Sequence, residues 1–292
     1  MPEIALTWRD RMVAGLADRV AEPLLRRPLP VAAMRAAFAL ATPLRAPKGA
    51  AVEWQDVGGV QARVLTPPDA RGDLLWCHGG AFVAGSPRSH ARLTDLVAMA
   101  SGLRVTTPAY RLAPEHPFPA AYEDCLAAAH AMAARGPFAL AGDSAGATLA
   151  ASVCAQLCAD GTPPARMALI CPAGRLDAAR PDPADADPMF LSRPLLERLL
   201  ALYAPGADPT DPRLSPVHAD FPGAPPTLIH VADGELLEED SDALAAQLRA
   251  GGADVRIRRV RGLPHAWHLA AGIAPAADRA LDGIAAFLRG AA

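Results

Sequence analysis

A serine that attacks a carbonyl needs a base to take its proton, an acid to steady the base, and N–H donors for the developing oxyanion. Gly142-Asp143-Ser144-Ala145-Gly146 offers a place for such a serine. It fits G-x-S-x-G, follows the apolar run Phe138–Gly142 and opens the alanine-rich stretch Ala145–Ala159. This is the setting of a nucleophile elbow, a sharp strand-to-helix turn with its serine in strained backbone. Neighbours two positions away must be small, or their side chains would strike the flanking strand and helix. The helix start also aims backbone N–H groups at negative charge. A second motif, His78-Gly79-Gly80-Ala81, follows the apolar run Asp73–Cys77. Glycines let backbone donors approach a reacting oxygen closely. The N–H groups of Gly79, Gly80 and Ala145 are therefore the expected oxyanion donors, and His78 is expected to shape their loop.

The base and the acid should follow the serine in the order serine, acid, histidine. Four histidines follow it: His218, His230, His265 and His268. His230 lies inside the apolar run Thr227–Val231 and reads as a core residue, while His218 sits among prolines. His265 comes after the run Asp254–Val260 and a Gly-Leu-Pro turn, where a strand would deliver it to a sheet edge. His268, three residues on, falls about one helical turn away. His265 is thus the expected base. Six carboxylates follow Thr227–Ala232: Asp233, Glu235, Glu238, Glu239, Asp240 and Asp242. Glu238, Glu239 and Asp240 stand where acidic side chains favour a helix N-terminus. Asp233 abuts the strand and precedes a turn at Gly234, which it can cap. Glu235 lies past that turn, before Leu236-Leu237, an apolar pair able to anchor its loop. On these grounds alone Glu235 and Asp233 both remain open.

Strand-length apolar runs carry these residues: Ala51–Val57, Val60–Leu65, Asp73–His78, Leu103–Thr107, Phe138–Gly142, Met167–Cys171, Thr227–Ala232 and Asp254–Val260. Helical patterns alternate with them at Ala120–Ala134, Ala145–Ala159, Ser241–Gly251 and Pro275–Arg289. Alternation of this kind predicts an α/β fold, a mostly parallel sheet covered on both faces. Residues 1–45 read as short helices broken by prolines. The rest, 46–292, reads as the catalytic domain with a proline-rich insertion at about 172–222 that holds one helix, about Pro194–Tyr203. The insertion and residues 1–45 are expected to form a lid over the sheet's C-terminal edge. Met34, Phe38, Leu40, Met189, Phe190 and Tyr203 are its candidate pocket-lining residues.

Composition narrows the function classes. The 292 residues are 51% hydrophobic and 20% charged, which argues against disorder. A net charge of -3 gives no electrostatic reason to expect nucleic acid as a partner. The basic stretch Arg256–Arg261 reads as a solvated strand face. Five cysteines without C-x-x-C spacing read as buried free thiols. No apolar segment is long enough for a signal peptide or membrane span, so a cytoplasmic protein is expected. Asp182, Asp185 and Asp187 lack the pattern of a calcium loop, and no metal or cofactor motif stands out, so none is expected.

His78-Gly79-Gly80, the string Tyr110-Arg111-Leu112-Ala113-Pro114-Glu115-His116-Pro117-Phe118-Pro119-Ala120, Gly142–Gly146 and Asp211–Pro216 together resemble the signatures of the hormone-sensitive-lipase-like esterases. The resemblance runs from about Trp76 to the C-terminus. It implies an α/β-hydrolase fold with eight strands, an N-terminal helical cap, and carboxylesterase activity on short- to medium-chain acyl esters. In that fold the oxyanion loop follows the third strand, which agrees with the count here. The resemblance supports His265 through its Pro-His-x-aromatic loop and places the acid at Glu235. It also implies a possible homodimer. Ala81 and Ala147 depart from the family, standing where many members carry glycine. Two rival readings use the same residues: a lactone or amide hydrolase with the same triad, and a non-catalytic ligand-binding hydrolase fold. The second is found in plant receptors that lack the histidine, which is present here at 265.

Overall fold

The computed structural model describes residues 5–21, 29–40, 46–176 and 191–290. Each predicted run becomes a strand, with ends shifted by about a residue: β1 Ala51–Val57, β2 Val60–Thr66, β3 Asp73–Cys77, β4 Arg104–Pro108, β5 Phe138–Asp143, β6 Arg166–Ile170, β7 Thr227–Asp233 and β8 Val255–Arg261. Their order in the sheet is β1-β2-β4-β3-β5-β6-β7-β8. The pairs β1–β2 and β2–β4 are antiparallel, and the rest are parallel. Every residue of β5 is buried. Phe138 and Leu140 enter the core on one face, and Ala139 and Ala141 the core on the other. Leu75 and Cys77 oppose Leu74 and Trp76 in the same way. Burial on both faces is why these strands read as continuous rather than alternating apolar runs. A fully buried leucine contributes roughly 1.5–3 kcal/mol.

Among the described residues the helices are α1 Trp8–Leu16, α2 Val31–Leu40, α3 Ala91–Ser101, α4 Ala120–Ala133, α5 Ala145–Ala159, α6 Arg193–Tyr203, α7 Glu238–Ala250 and α8 Pro275–Leu288. Residues of α4, α5, α6 and α7 belong to one core, and residues of α3 and α8 to the other. Helix α3 is not among the helices the sequence predicts, because polar Arg92, Thr94 and Asp95 interrupt its apolar pattern. Thr94 and Asp95 are nonetheless buried, Asp95 by ion-pairing with Arg63 of β2 at 2.6 Å.

Helix α2 and helix α6 meet near the sheet's C-terminal edge. Met34 is buried there, and Arg198 Nη2 lies 4.0 Å from its sulfur. Leu40, by contrast, is 89% exposed, so it lines no apolar pocket; it stands at the far end of α2. Met189, Phe190 and the acidic loop of Asp182, Asp185 and Asp187 lie outside the described residues. No described helix is long and apolar enough to cross a membrane.

Candidate active site

The sheet order reverses where β3 and β5 lie side by side, the crevice at which α/β sheets bind ligands. Cys77 pairs with Gly142, so the loop after β3 and the turn after β5 leave the sheet as neighbours. At the turn Ser144 adopts φ 53°, ψ -124°. A side chain on Gly142 would overlap the Gly146 carbonyl, and one on Gly146 the carbonyls of Cys77 and His78. The small residues of G-x-S-x-G are therefore a packing requirement, and α5 starts directly behind the serine.

Three consecutive residues after Gly79 have positive φ: Gly80 at 123°, Ala81 at 54° and Phe82 at 63°. Non-glycine residues in such backbone cost about 1–3 kcal/mol each. Ala81, where the family resemblance leads one to expect glycine, takes left-handed backbone that glycine adopts without strain. The turn is held by Val83 and Ala84 N–H to the Gly80 carbonyl, at 3.1 and 2.9 Å, and by Ala113 N–H to the Phe82 carbonyl at 2.9 Å. Arg35 of α2 donates to the Val83 carbonyl at 2.8 Å. Among the described residues, no protein acceptor takes the N–H of Gly79, Gly80 or Ala145. Phe82 stacks on Tyr203 of α6, with ring centroids 3.8 Å apart.

Asp233 pairs with Arg261 across β7 and β8, which brings the loops after these two strands together. His265 Nε2 lies 2.8 Å from Ser144 Oγ, and His265 Nδ1 lies 2.5 Å from Glu235 Oε2. The other carboxylate oxygen of Glu235 accepts the Ala232 N–H at 3.0 Å, which fixes its direction. Ser144, His265 and Glu235 thus form one hydrogen-bonded chain. Asp233 is outside it, bound instead to Arg261 Nε at 2.7 Å. Glu238, Glu239 and Asp240 occupy the first turn of α7, and Glu238 accepts the Gly234 N–H at 2.7 Å. Asp242 is bound by Arg259. His218 ends a short 3-10 turn and is exposed.

Cys171, a neighbour the sequence did not single out, lies directly after β6 with φ 47°. Its sulfur accepts the Ala266 N–H at 3.4 Å. Burial, and then the Glu235 carboxylate, push its thiol well above the ordinary value. Cys171, Glu235 and His265 present ligand atoms within 4.8 Å of one another, the one such cluster among the described residues. In this arrangement the last two are engaged with each other. All five cysteines are buried free thiols.

Two histidines near the site are held neutral. Burial, then the neighbouring His90, lowers His78 to about 3. Its Nδ1–H donates to the Gly79 carbonyl at 2.8 Å, and its ring stacks on Tyr110. Burial, then Arg258, lowers His230 to about 3. His230 shares a 2.9 Å hydrogen bond with His268, one helical step from the loop of His265. An unfolded histidine takes up its proton near pH 6.5, and the folded pair does so only near 3. Their stabilisation is complete above about pH 6.5 and is lost as pH falls toward 3, at about 1.4 kcal/mol per pH unit for each ring. The urea midpoint should therefore fall steeply between pH 6 and pH 4, and less steeply in His230→Asn. A midpoint flat across that window contradicts the burial of these rings as neutral groups.

Fold, elbow and strand-end loops define an α/β hydrolase. Residues 74–269 match the model of a family described by the alpha/beta hydrolase fold. An acetyl-hydrolase of Streptomyces hygroscopicus is 37% identical over 80% of this chain and 81% of its own. The carboxylesterase NlhH of Mycobacterium tuberculosis is 33% identical over 82% of this chain and 81% of its own. A solved esterase of the bacterial hormone-sensitive lipase family superposes with a TM-score of 0.87 at 31% identity, covering 98% of this chain and 99% of the other. The chain belongs to the hormone-sensitive-lipase-like family of α/β-hydrolase esterases. It is a carboxylic ester hydrolase.

Proposed function

We propose that Ser144, His265 and Glu235 carry out ester hydrolysis through an acyl-enzyme. The observation that carries this reading is the unbroken chain from Ser144 Oγ through the His265 ring to Glu235, at 2.8 and 2.5 Å. His265 Nε2 takes the Ser144 proton as Oγ bonds to the ester carbonyl carbon. The carbonyl oxygen becomes an anion held by the N–H groups of Gly79, Gly80 and Ala145. His265, now an imidazolium steadied by Glu235, returns the proton to the departing alcohol. Water then repeats the sequence: His265 takes its proton, its oxygen bonds to the acyl carbon, and Ser144 leaves with the proton. The test is pre-steady-state. An activated ester should release a stoichiometric burst of alcohol before steady turnover. Steady release without a burst, at saturating ester and with a deacylation-limited acyl group, counts against the acyl-enzyme.

The substrate is a short- to medium-chain acyl ester. Supporting this, Met34 of α2, Tyr203 of α6 and Phe82 of the oxyanion loop lie in one apolar core, and Phe38 of α2 packs against it. In this reading residues 1–45 and the segment around α6 form the cap of a bounded pocket. On a ladder of p-nitrophenyl esters from acetate to palmitate, kcat/KM should peak at the short to middle members. A palmitate optimum that requires a lipid interface would overturn it. Lactone and amide analogues run beside the ladder separate the same triad acting on another bond, and the ester should turn over fastest.

A further inference from the structure

Acyl transfer makes no direct use of the string Tyr110–Ala120, yet the string grips the oxyanion loop on both sides of its donors. Tyr110 Oη donates to the His78 carbonyl at 2.7 Å, directly before Gly79. The Ala113 N–H donates to the Phe82 carbonyl at 2.9 Å, shortly after Gly80. Further along the string, the Phe118 N–H donates to the Tyr203 carbonyl of α6 at 2.7 Å.

Arg35 of α2 joins these parts. Its Nε donates to the Val83 carbonyl at 2.8 Å, and its Nη2 to the Ala113 carbonyl at 3.0 Å. Nη1 and Nη2 donate to the two carboxylate oxygens of Glu115 at 2.8 and 2.6 Å. One planar fork thus ties the cap helix to the oxyanion loop and to the string. Glu115 sets the plane of the guanidinium through its two-oxygen grip, which leaves the remaining donors facing the two carbonyls. The ion pair is partly exposed, with side-chain exposures of 34% and 55%. Such pairs add little to stability, so the consequence of this one lies in placement. The loop it holds runs through positive φ at Gly80, Ala81 and Phe82, a backbone that persists only where its surroundings over-determine it.

We propose that Arg35, oriented by Glu115, is a positioning residue for the hydrolysis: it latches the N-terminal cap helix onto the oxyanion loop and holds the Gly79 and Gly80 N–H groups where the oxyanion forms. The proposal rests on the Ser144 reading above, through the oxyanion donors named there.

Arg35→Met tests it, because methionine keeps an apolar stem and removes every donor. Acylation and deacylation both pass through an oxyanion, so both should slow together. On p-nitrophenyl acetate kcat should fall about 10- to 100-fold, with KM within about threefold of wild type. Glu115→Gln leaves the carbonyl contacts of Arg35 in place and should lose less. An Arg35→Met variant that keeps its kcat, or whose loss lies in KM alone, overturns the proposal. Amide hydrogen exchange gives a readout without turnover. In Arg35→Met the N–H groups of Val83, Ala84 and Ala113, which hold the loop's turn, should exchange at least about tenfold faster, while those of β5 keep their wild-type rates. Uniform acceleration, or none at the loop, overturns the proposal. The same exchange pattern is expected in a Ser144→Ala background, so a failure of the latch is told apart from a failure of the Ser144 assignment. Should Arg35→Met fail to fold, Arg35→Lys takes its place. An ammonium cannot serve two carbonyls and a carboxylate from one plane, so the same split in kcat and the same exchange pattern are expected, at about threefold or more.

Discussion

Replacing Ser144 by alanine lowers kcat on a simple ester by roughly 10⁴-fold or more and leaves the fold standing. The second half of that expectation comes from the elbow. Alanine keeps the Cβ, so the strained backbone at φ 53° is neither relieved nor worsened. The Ser144 N–H still donates to the Ile170 carbonyl at 2.8 Å, and the Ala147 N–H still reaches the Ser144 carbonyl at 2.9 Å. Only Oγ and its contact with His265 disappear. The residual rate comes from substrate binding and the oxyanion donors, which the substitution leaves in place. Titration with an activated ester, beside circular dichroism and a denaturation midpoint, checks both parts. A folded variant that keeps most of its activity removes Ser144 from the mechanism.

Glu235→Gln costs on the order of 10²- to 10⁴-fold in kcat. Glutamine fills the same space and can still take the Ala232 N–H, so the loop after β7 keeps its path. The negative charge beside His265 Nδ1 is gone, and the imidazolium formed during attack loses its steadying partner. Burial sharpens the effect, because Glu235 is 4% exposed and little solvent screens the pair. Asp233→Asn, made in parallel, costs far less. Asp233 gives up an ion pair with Arg261, whose side chain is 87% exposed, and exposed pairs contribute about 0–1 kcal/mol. Steady-state kinetics on one ester rank the two. The reverse ranking moves the acid to Asp233 and leaves the serine and histidine untouched.

The parts of the site legible in the sequence are those whose constraints are local. Gly142 and Gly146 must lack side chains because of what lies within four residues or on the adjacent strand, so the motif carries its own evidence. The strands were legible because β3, β5 and β6 are apolar on both faces. The choice between Glu235 and Asp233 was not settled by residue type, since both follow β7 closely. What separates them is register: Asp233 stands opposite Arg261 in the β7–β8 pairing, and a cross-strand partner is invisible in a linear pattern. The contact of Arg35 and Glu115 was hidden for the same reason, as it spans 80 residues of sequence. Leu40 misled because helix α2 is apolar on more than one face, and only packing decides which face is covered.

The 2.8 Å contact between Ser144 and His265 spans 121 residues. The elbow can form as soon as β5, β6 and α5 have emerged from synthesis, yet its serine then has no base. His265 arrives only after β7, α7 and β8 have added themselves to the sheet's edge. Catalytic competence is thus among the last properties the growing chain acquires, and a partly made or partly refolded molecule carries the nucleophile without the means to activate it. Recovery of activity after dilution from denaturant should accordingly lag behind recovery of helical signal, since it waits for β7 and β8 to join the sheet, whereas helices form locally.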